Sequence, residues 1–265
     1  MSASVASSLL TTIRDLHRRR GRERRGLALA EGIRLVEEAL AARVPMRGAA
    51  FSPALEGTPR GKALKSALLS AGVSLIEVTH AELDELADTE QPQGVVAVVE
   101  PPAWTLADLP AGAGAVTLVL DAVQDPGNVG TMLRTALAFG AGGLVALTGT
   151  VELTNPKVVR GSMGSLFRLP SVEAGADEFL SWAAGCGAEI WTAAAGGTPL
   201  KRRQLGKRAG RPPIALAVGN EGAGISAPIE SAARRSVALP LAGGVESLNV
   251  AVAAGILLYE VLRDD

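Results

Sequence analysis

Residue types that often carry enzyme chemistry are scarce in this chain of 265 residues. It contains one cysteine (Cys186), two histidines (His17 and His80) and few aromatic residues, namely four Phe, three Trp and one Tyr. One cysteine excludes an intrachain disulfide and fits a reducing compartment, so we expect a cytoplasmic protein. Three scattered Cys and His residues cannot supply four zinc ligands, so we expect no metal. Neither histidine lies near a G-x-S-x-G turn, which argues against a Ser-His-Asp mechanism. The small number of aromatic residues argues against a platform on which nucleic-acid bases stack.

Long apolar segments are missing as well. No stretch of about 18 uncharged apolar residues occurs, so we expect no membrane span. The first residues, MSASVASSLL, have no basic segment followed by a long apolar core, so we expect no signal peptide. The composition, 48% hydrophobic and 20% charged, supports one large or two modest folded domains.

The net charge of −1 conceals two basic runs. Residues 14–25 carry seven Arg against two acids, and residues 201–211 carry six basic residues and no acid. Arginine dominates both runs, and its guanidinium group suits bidentate contacts with phosphate. Either run alone could be a solvated surface, but two in a nearly neutral protein favour a polyanionic partner.

Short strands alternate with helices along the whole chain, which predicts an α/β fold. Proline and glycine in 101–115 predict a linker between an N-terminal domain, 1–100, and a C-terminal domain, 116–265. Uninterrupted apolar strands in the C-terminal part predict a mostly parallel sheet covered on both faces. The predicted helices are 4–20, 31–42, 60–71, 80–87, 128–139, 155–162, 177–185 and 247–263. The predicted strands are 27–30, 47–51, 75–78, 94–99, 116–120, 144–147, 190–193, 214–218 and 237–239.

The first motif, DAVQDPGNVGTMLRTALAFGA (121–141), has the order strand, polar loop, helix. Such a loop lies at the carboxyl end of a strand, where open α/β sheets bind ligands. Asn128 is predicted near the helix start, where it could simply be the cap. Arg134 lies among apolar residues, so we expect it to be semi-buried and to need an anionic partner.

The second motif, AVGNEGAGIS (217–226), is a strand that runs into a glycine-rich turn. Gly219, Gly222 and Gly224 allow close backbone approach, although a plain tight turn would explain them equally well. Glu221 is the informative residue, because acids are uncommon in loops that bind phosphate.

The third motif, ALPLAGGVESLNVAVAAGILLYEVL (238–262), is a strand, a glycine loop and a helix. The strand is predicted to end at Leu239 and Pro240, and Ser247 is predicted to begin or cap the last helix, with Asn249 in its first turn. That helix is apolar nearly all round, which predicts burial or a subunit interface.

In this order and context, the three motifs resemble the SpoU/TrmH branch of the SPOUT RNA 2′-O-ribose methyltransferases. The segment NPKVVRGSMGSLFRLP (155–170) resembles a stretch common between the first two motifs. Upstream, LALAEGIRLVEEAL and TEQPQGVVAVVE resemble the substrate-binding domain of ribosomal RNA enzymes of this group. That domain in turn resembles a ribosomal-protein RNA-binding fold.

The resemblance implies a C-terminal SPOUT domain with a deep trefoil knot, a small N-terminal α/β RNA-binding domain, and a homodimer with sites near its interface. The implied reaction transfers a methyl group from S-adenosylmethionine to a ribose 2′-hydroxyl in RNA, with 23S ribosomal RNA as the expected substrate. Transfer RNA is the alternative substrate. A non-catalytic RNA-binding or ribosome-assembly protein is the alternative function, against which the intact polar motif residues argue.

The resemblance also implies the residues of the site. The expected catalytic residues are Asn128, Arg134, Glu221, Ser247 and Asn249. The expected cofactor-binding residues are Gly219, Asn220, Gly222, Leu239, Pro240, Leu248 and Asn249. The basic residues expected to bind RNA are Arg18, Arg19, Arg20, Arg22, Arg24, Arg25 and Arg34.

Arg134 is the residue on which the implied reaction depends most. It is either a base activated by an RNA phosphate or a clamp that grips the phosphate and stabilises the developing 2′-oxyanion. Asn128 is expected to orient Arg134 or the ribose, and Glu221 to fix the second loop or Arg134. Ser247 and Asn249 are expected to fix the third loop and the cofactor. A structural role in shaping the knot is the alternative for these four.

A nicotinamide-dependent oxidoreductase is the rival enzyme class, because a parallel sheet and glycine turns suit it too. The chain lacks G-x-G-x-x-G after a first strand and an acid about 20 residues further on, which argues against that class.

Overall fold

The computed structural model describes residues 3–200, 205, 207–243 and 247–263. The helices are α1 (Ala3–Leu16), α2 (Arg19–Arg25), α3 (Ile33–Ala41), α4 (Pro59–Ser70), α5 (His80–Leu86), α6 (Pro126–Phe139), α7 (Pro156–Gly161), α8 (Ala176–Cys186), α9 (Ala227–Ala232) and α10 (Val250–Leu262). The strands are β1 (Ala28–Glu31), β2 (Met46–Phe51), β3 (Leu75–Glu77), β4 (Val95–Val99), β5 (Val116–Asp121), β6 (Gly143–Leu147), β7 (Ser171–Ala174), β8 (Glu189–Pro199), β9 (Ile214–Gly219) and β10 (Arg235–Ala238).

The chain divides into two compact units. The first comprises Met1–Pro102 and Thr154–Phe167, and the second comprises Ala103–Leu153 and Arg168–Asp265. Residues 154–167 therefore belong to the first unit, although the predicted C-terminal domain, 116–265, includes them. Contacts within the first unit explain their place, because α7 packs against β1 and Arg160 Nη1 donates to Asp88 Oδ2 at 2.9 Å.

The first unit is built on a mixed four-stranded sheet with the order β1-β4-β2-β3. Strand β4 runs antiparallel to β1 and β2, while β2 and β3 are parallel. Apolar residues of α1, including Ile13 and Leu16, pack with Val96 and Val98 of β4 in the core. The predicted small α/β domain is thus present in this part of the chain.

The predicted helix 4–20 is wrong, because α1 ends at Leu16 and a second helix, α2, begins at Arg19. Arg22 explains the break. It is only 5% exposed, and its Nη1 donates to the carbonyl oxygens of Leu16 and His17, both at 3.0 Å. These carbonyls lie at the end of α1, where a helix leaves acceptors unpaired. Arg22 therefore joins two helices and is not on an open surface where the expected RNA contact would require it.

The second unit contains a six-stranded sheet with the order β10-β8-β9-β5-β6-β7. Every neighbouring pair in it is parallel, which confirms the predicted α/β fold with a parallel sheet. Strands β5 and β6 are buried along their whole length, as their apolar sequences predict. Because the strands are parallel, the loops after β5, β9 and β10 leave the same edge of the sheet. The knot implied by the resemblance stays a prediction.

Two short elements of the second unit, β7 and α9, were not predicted. Strand β7 has four residues and α9 has six, so neither is long enough to show a clear apolar period. Within the described residues, no helix is both long and apolar enough to cross a membrane.

Candidate active site

Three polar side chains, one from each motif, form a hydrogen-bonded chain at the carboxyl edge of the parallel sheet. Asn128 Nδ2 donates to Glu221 Oε1 at 2.7 Å, and Asn249 Nδ2 donates to Asn128 Oδ1 at 2.9 Å. Asn128 lies 93 residues from Glu221 and 121 residues from Asn249 along the chain. The fold therefore brings together three of the five residues that the resemblance implies as catalytic. We call this group the polar triad.

Asn128 lies in the first turn of α6, and its side chain is available to the triad because another residue caps this helix. Asp125 Oδ1 accepts from the backbone N–H of Asn128 at 2.7 Å, and Pro126 occupies the first helical position, where proline is favoured. The possibility that Asn128 is merely the cap is therefore wrong. Its side-chain amide is left to donate to one triad member and accept from the other.

Asn249 holds the triad and caps a helix at the same time. Its Oδ1 accepts from the backbone N–H groups of Ala251 at 2.9 Å and Val252 at 3.2 Å. Helix α10 therefore begins at Val250, and the predicted start at Ser247 is wrong. Ser247 is exposed and makes no hydrogen bond to a described residue.

The second loop is closed on itself around Asn220. A Cβ atom on Gly219 would lie 2.3 Å from the carbonyl oxygen of Gly224, so only glycine fits there. Asn220 N and O pair with Gly224 O and N at 3.1 and 2.9 Å. Asn220 Oδ1 accepts from the N–H groups of Gly222 and Ala223, both at 2.9 Å. Asn220 and Gly222 were expected to bind the cofactor, but the side-chain oxygen of Asn220 and the N–H of Gly222 are used inside the loop.

The same loop is tied to the end of β5. Asn220 Nδ2 donates to the carbonyl oxygen of Ala122 at 3.0 Å, and Asp121 Oδ2 accepts from the N–H of Ser226 at 2.7 Å. Asp121 is 4% exposed, and Ala122 has a φ of 56°, a left-handed conformation that is unfavourable for alanine. Both residues belong to the first motif, in which no role is predicted for them. An acid that ends a buried strand was the available signal.

Arg134 does not join the polar triad. It is exposed on α6 between the exposed residues Thr131 and Ala138, so the expected semi-burial is wrong for the single chain. Its side chain makes no hydrogen bond or ion pair with a described residue, and the described partner of Glu221 is Asn128. The guanidinium group is thus open to an anion from outside the chain.

The third loop, which leads to Asn249, offers backbone groups and apolar side chains. Leu239 is half-buried, Pro240 is exposed, and Leu248 is 37% exposed. The N–H groups of Leu239 and Leu248 make no backbone hydrogen bond to a described residue. N–H groups without a backbone partner, beside leucine side chains, suit a planar heterocycle. The chemistry of these residues is therefore compatible with the adenine and methionine parts of S-adenosylmethionine. Residues 244–246 of this loop lie outside the described residues. In the described part of the chain, no group of three or more His, Cys, Asp or Glu could hold a metal ion.

Helices α6 and α10 lie side by side and parallel behind the triad. Asn128 meets Asn249 at their starts, and the rings of Phe139 and Tyr259 meet near their ends with centroids 5.5 Å apart. Between these points a Cβ atom on Gly255 would lie 3.3 Å from Thr135 Cγ2, so the two helices are in close contact. An exposed apolar surface flanks this pair. It is formed by Phe139, Val252, Ile256 and Tyr259, and we call it the α10 surface.

The arginines of α1 and α2 fall into two groups. Arg19 pairs with Glu23, and Arg24 and Arg25 both pair with Asp15 Oδ2, each at 2.7 Å. The hydrogen bond from Arg25 is the main reason why the pKa of the Asp15 carboxyl is lowered, and Arg24 lowers it further. Of the seven arginines expected to bind RNA, three are exposed and have side chains that make no hydrogen bond or ion pair with a described residue, namely Arg18, Arg20 and Arg34.

The second basic run lies partly outside the described residues, since 201–204 and 206 are not described. Two of its arginines turn inward. Arg208 Nε donates to the carbonyl oxygen of Gly114 at 2.7 Å, and Arg211, which is 8% exposed, donates from Nη1 to that of Val261 at 3.0 Å. These two arginines bind the protein's own backbone.

Both the N-terminal and the C-terminal part of the chain are similar to known protein families. The SpoU rRNA Methylase family pattern matches residues 115–259, and an MRM3-like substrate binding domain matches residues 9–97. The 23S rRNA (guanosine(2553)-2′-O)-methyltransferase RlmP of Bacillus subtilis (strain 168) is 34% identical over 251 residues, which are 94% of this chain and 93% of that protein.

Two solved structures match over similar lengths. The SpoU methyltransferase AviRb from Streptomyces viridochromogenes, in complex with the cofactor AdoMet, is 30% identical with a TM-score of 0.84, covering 99% of this chain and 98% of that one. The AdoMet-bound rRNA methyltransferase from Sinorhizobium meliloti is 29% identical with a TM-score of 0.82, covering 96% and 93%.

Proposed function

Because the chain belongs to the SpoU rRNA methylase family, as its three motifs predict, we propose that it methylates a ribose 2′-hydroxyl of 23S ribosomal RNA using S-adenosylmethionine. The observation that carries the proposal is the polar triad, which three distant motifs assemble at the carboxyl edge of the sheet. The match of the first unit to a substrate-binding domain and the name of the Bacillus relative support ribosomal RNA as the substrate. The cytoplasm, where ribosomal RNA is found, is the proposed compartment.

The chain's own residues bind and orient the reactants. S-adenosylmethionine, when bound, would supply an activated methyl group. As the methyl carbon leaves the sulfur for the 2′-oxygen, the hydroxyl proton would pass to solvent water, so the protein needs mainly to position the acceptor and stabilise its developing charge. The guanidinium group of Arg134 makes no hydrogen bond or ion pair with a described residue, and it offers N–H donors but no acceptor. It is therefore better suited to gripping the neighbouring phosphate and stabilising the developing 2′-oxyanion than to accepting a proton. Asn128, Glu221 and Asn249 hold the edges of the three loops together around this reaction.

Removal of the Arg134 side chain tests the proposal. We expect Arg134→Ala to lower methyl transfer from labelled S-adenosylmethionine to 23S rRNA by about a hundredfold or more, the usual effect of losing a transition-state charge contact. Its melting temperature should not change, because the side chain is exposed and has no described partner.

Arg234→Ala is the matched control. Arg234 is likewise exposed without a described side-chain partner, but it precedes β10 and so lies at the amino edge of the same sheet. It should retain full turnover. Near-normal turnover by Arg134→Ala would refute both roles considered for this arginine, and no transfer by the unmodified protein to any ribosomal RNA would refute the proposed reaction.

A homodimer formed through the α10 surface is part of the same proposal. Val252, Ile256 and Tyr259 recur at intervals of four and three residues and place an apolar stripe on the exposed side of α10. An exposed stripe of this kind on an otherwise buried helix is typical of a protein–protein interface. Arg134 lies on the neighbouring helix α6, so a partner bound there would also cover the surroundings of this arginine.

A further inference from the structure

We infer that Asn220 is a positioning residue that holds Glu221 in the polar triad, instead of a ligand of the cofactor. The side-chain oxygen of Asn220 already accepts two hydrogen bonds, from the N–H groups of Gly222 and Ala223 at 2.9 Å. Its Nδ2 donates to the carbonyl oxygen of Ala122 at 3.0 Å. An amide oxygen has two lone pairs, so its accepting capacity is filled within the protein.

Asn220 fixes the loop in two directions at once. The bonds to Gly222 and Ala223 close the loop around the residue next to Glu221, and the bond to Ala122 attaches the closed loop to the end of β5. Glu221, the next residue of the loop, accepts from Asn128. Hydrogen bonds therefore run from the end of β5 through Asn220 to the loop, and from the loop through Glu221 to α6 and α10.

The attachment point is itself unusual. Ala122 has a φ of 56°, and a non-glycine residue in this region persists only when its surroundings hold it there. Asn220 Nδ2 binds its carbonyl, and on either side Asp121 holds Ser226 and Val123 pairs through its carbonyl with the N–H of Val151. The strained turn and the glycine loop thus fix each other, and the position of Glu221 follows from both.

Amide hydrogen exchange tests the structural half of the inference without substrate or cofactor. In Asn220→Ala, we expect the N–H groups of Gly222 and Ala223 to exchange about tenfold faster, because each loses a hydrogen bond. Asn220→Asp keeps an acceptor for both, so their exchange should stay close to that of the unchanged protein, while the bond to Ala122 is lost. Unchanged exchange in Asn220→Ala would overturn the inference.

Asn155→Ala is the matched control, because Asn155 Oδ1 also accepts from a backbone N–H, that of Lys157 at 3.0 Å, but lies in the first unit. Asn155→Ala should speed the exchange of the N–H of Lys157 and leave the exchange of Gly222 and Ala223 unchanged. Methyl transfer by this variant should equal that of the unchanged protein.

A double-mutant cycle tests the functional half, which rests on the proposed methyl transfer. If Asn220 acts through Glu221 and Asn128, the double variant Asn220→Ala/Asn128→Ala should have a kcat no lower than the worse single variant. A cofactor ligand that acts independently would instead give a double loss equal to the product of the two single losses, which would overturn the inference. Asn220→Asp should lose turnover while its loop stays protected, because it lacks the donor to Ala122. If the unchanged protein methylates no RNA, the proposed function fails, and the exchange measurements still decide the position of the loop.

Discussion

At the scale of single residues, the site depends on polar side chains that each perform more than one task. Asn249 caps α10 through its oxygen and donates to Asn128 through its nitrogen. Asn128 can accept that bond because Asp125 caps α6 in its place. The division of labour between the oxygen and nitrogen of one amide allows the stability of a helix and the geometry of the site to be changed separately.

Asn249 provides the test. Asn249→Asp keeps an oxygen for the cap, and a negative charge at a helix N-terminus is favourable, so its free energy of unfolding should be nearly unchanged. It loses the donor to Asn128, so methyl transfer should fall by about five- to thirtyfold, the effect of losing about 1 to 2 kcal/mol of positioning. Asn249→Ala loses both functions and should also cost about 1 kcal/mol of stability.

Chemical denaturation and methyl transfer measured on the same samples distinguish these outcomes. Ser247→Ala is the control for stability, because Ser247 is exposed and lies before the helix begins. A large stability loss in Ser247→Ala would restore this residue as the cap. Full turnover in Asn249→Asp would show that the bond to Asn128 does not matter.

The motifs identify three of the polar residues of the site correctly, but they do not give the task of each residue. Spacing alone could not choose between Ser247 and Asn249 as the cap of α10, because both types are good caps within a few residues of the first apolar turn. For α6 a better signal existed, since Asp125 directly precedes a proline, the usual order at a helix start. The exposure of Arg134 could not be read from its apolar neighbours, because α6 is covered only on the sides that face the sheet and α10.

At the scale of elements, the basic run in α1 and α2 is a set of arginines with different tasks. Arg22 is buried against the end of α1, while Arg24 and Arg25 are paired with Asp15. The side chains of Arg18 and Arg20 make no hydrogen bond or ion pair with a described residue, so they are free to bind phosphate. Charge counted along the sequence thus overstates the number of arginines that this segment can offer to RNA.

Charge reversal at the free arginines should therefore weaken RNA binding. For Arg18→Glu/Arg20→Glu, we expect weaker binding to a 23S rRNA fragment and a slope of log Kd against log salt smaller by roughly one to two, as each lost phosphate contact removes nearly one unit. Arg60→Glu is the control, because Arg60 is exposed but paired with Glu37. Affinity for S-adenosylmethionine, measured by calorimetry, should be the same in all three proteins. RNA affinity unchanged over the whole salt series would contradict this assignment.

Asp15 makes the stability of the first unit dependent on pH. Its pKa is lowered in the folded chain, first by the hydrogen bond from Arg25, so the unfolded state binds the proton more readily. The stabilisation is therefore fully present above the ordinary value of 3.8 and is lost as the pH falls through the lowered folded pKa. Asp15→Asn should have a lower melting temperature than the unchanged protein at neutral pH, and the difference should shrink below about 3.8. A difference that is constant with pH would show that the two ion pairs contribute nothing.

Elements were predictable where one strong pattern controls them. The apolar strands β5, β6 and β9 are buried on both faces, and their runs of Val, Leu and Ala predicted this. Strand β7 was missed because SVEA has no such run and is stabilised by its pairing with β6, a contact distant in sequence. The break between α1 and α2 was missed because it depends on one buried arginine in a run that is otherwise polar and helical.

At the scale of the whole molecule, the second unit exposes apolar surface where its own packing ends. Helix α10 buries Ala254, Leu257, Leu258 and Val261 against the unit, and it leaves Val252, Ile256 and Tyr259 exposed. The sequence predicted a helix that is buried or at an interface, and the single chain covers only part of it. A second copy of the chain is the occupant that we propose for the exposed part.

The state of assembly should therefore depend on Ile256. Light scattering of the unchanged protein should give about twice the 27.0 kDa of one chain, and Ile256→Glu should give one chain, because a buried charge without a partner is costly. Leu69→Glu is the matched control, since Leu69 is an apolar residue of α4 in the first unit and is 57% exposed. It should remain dimeric. In Ile256→Glu, methyl transfer should fall as the dimer is lost, because Arg134 lies on the helix beside this surface. A monomer with full turnover would show that the site is complete in one chain.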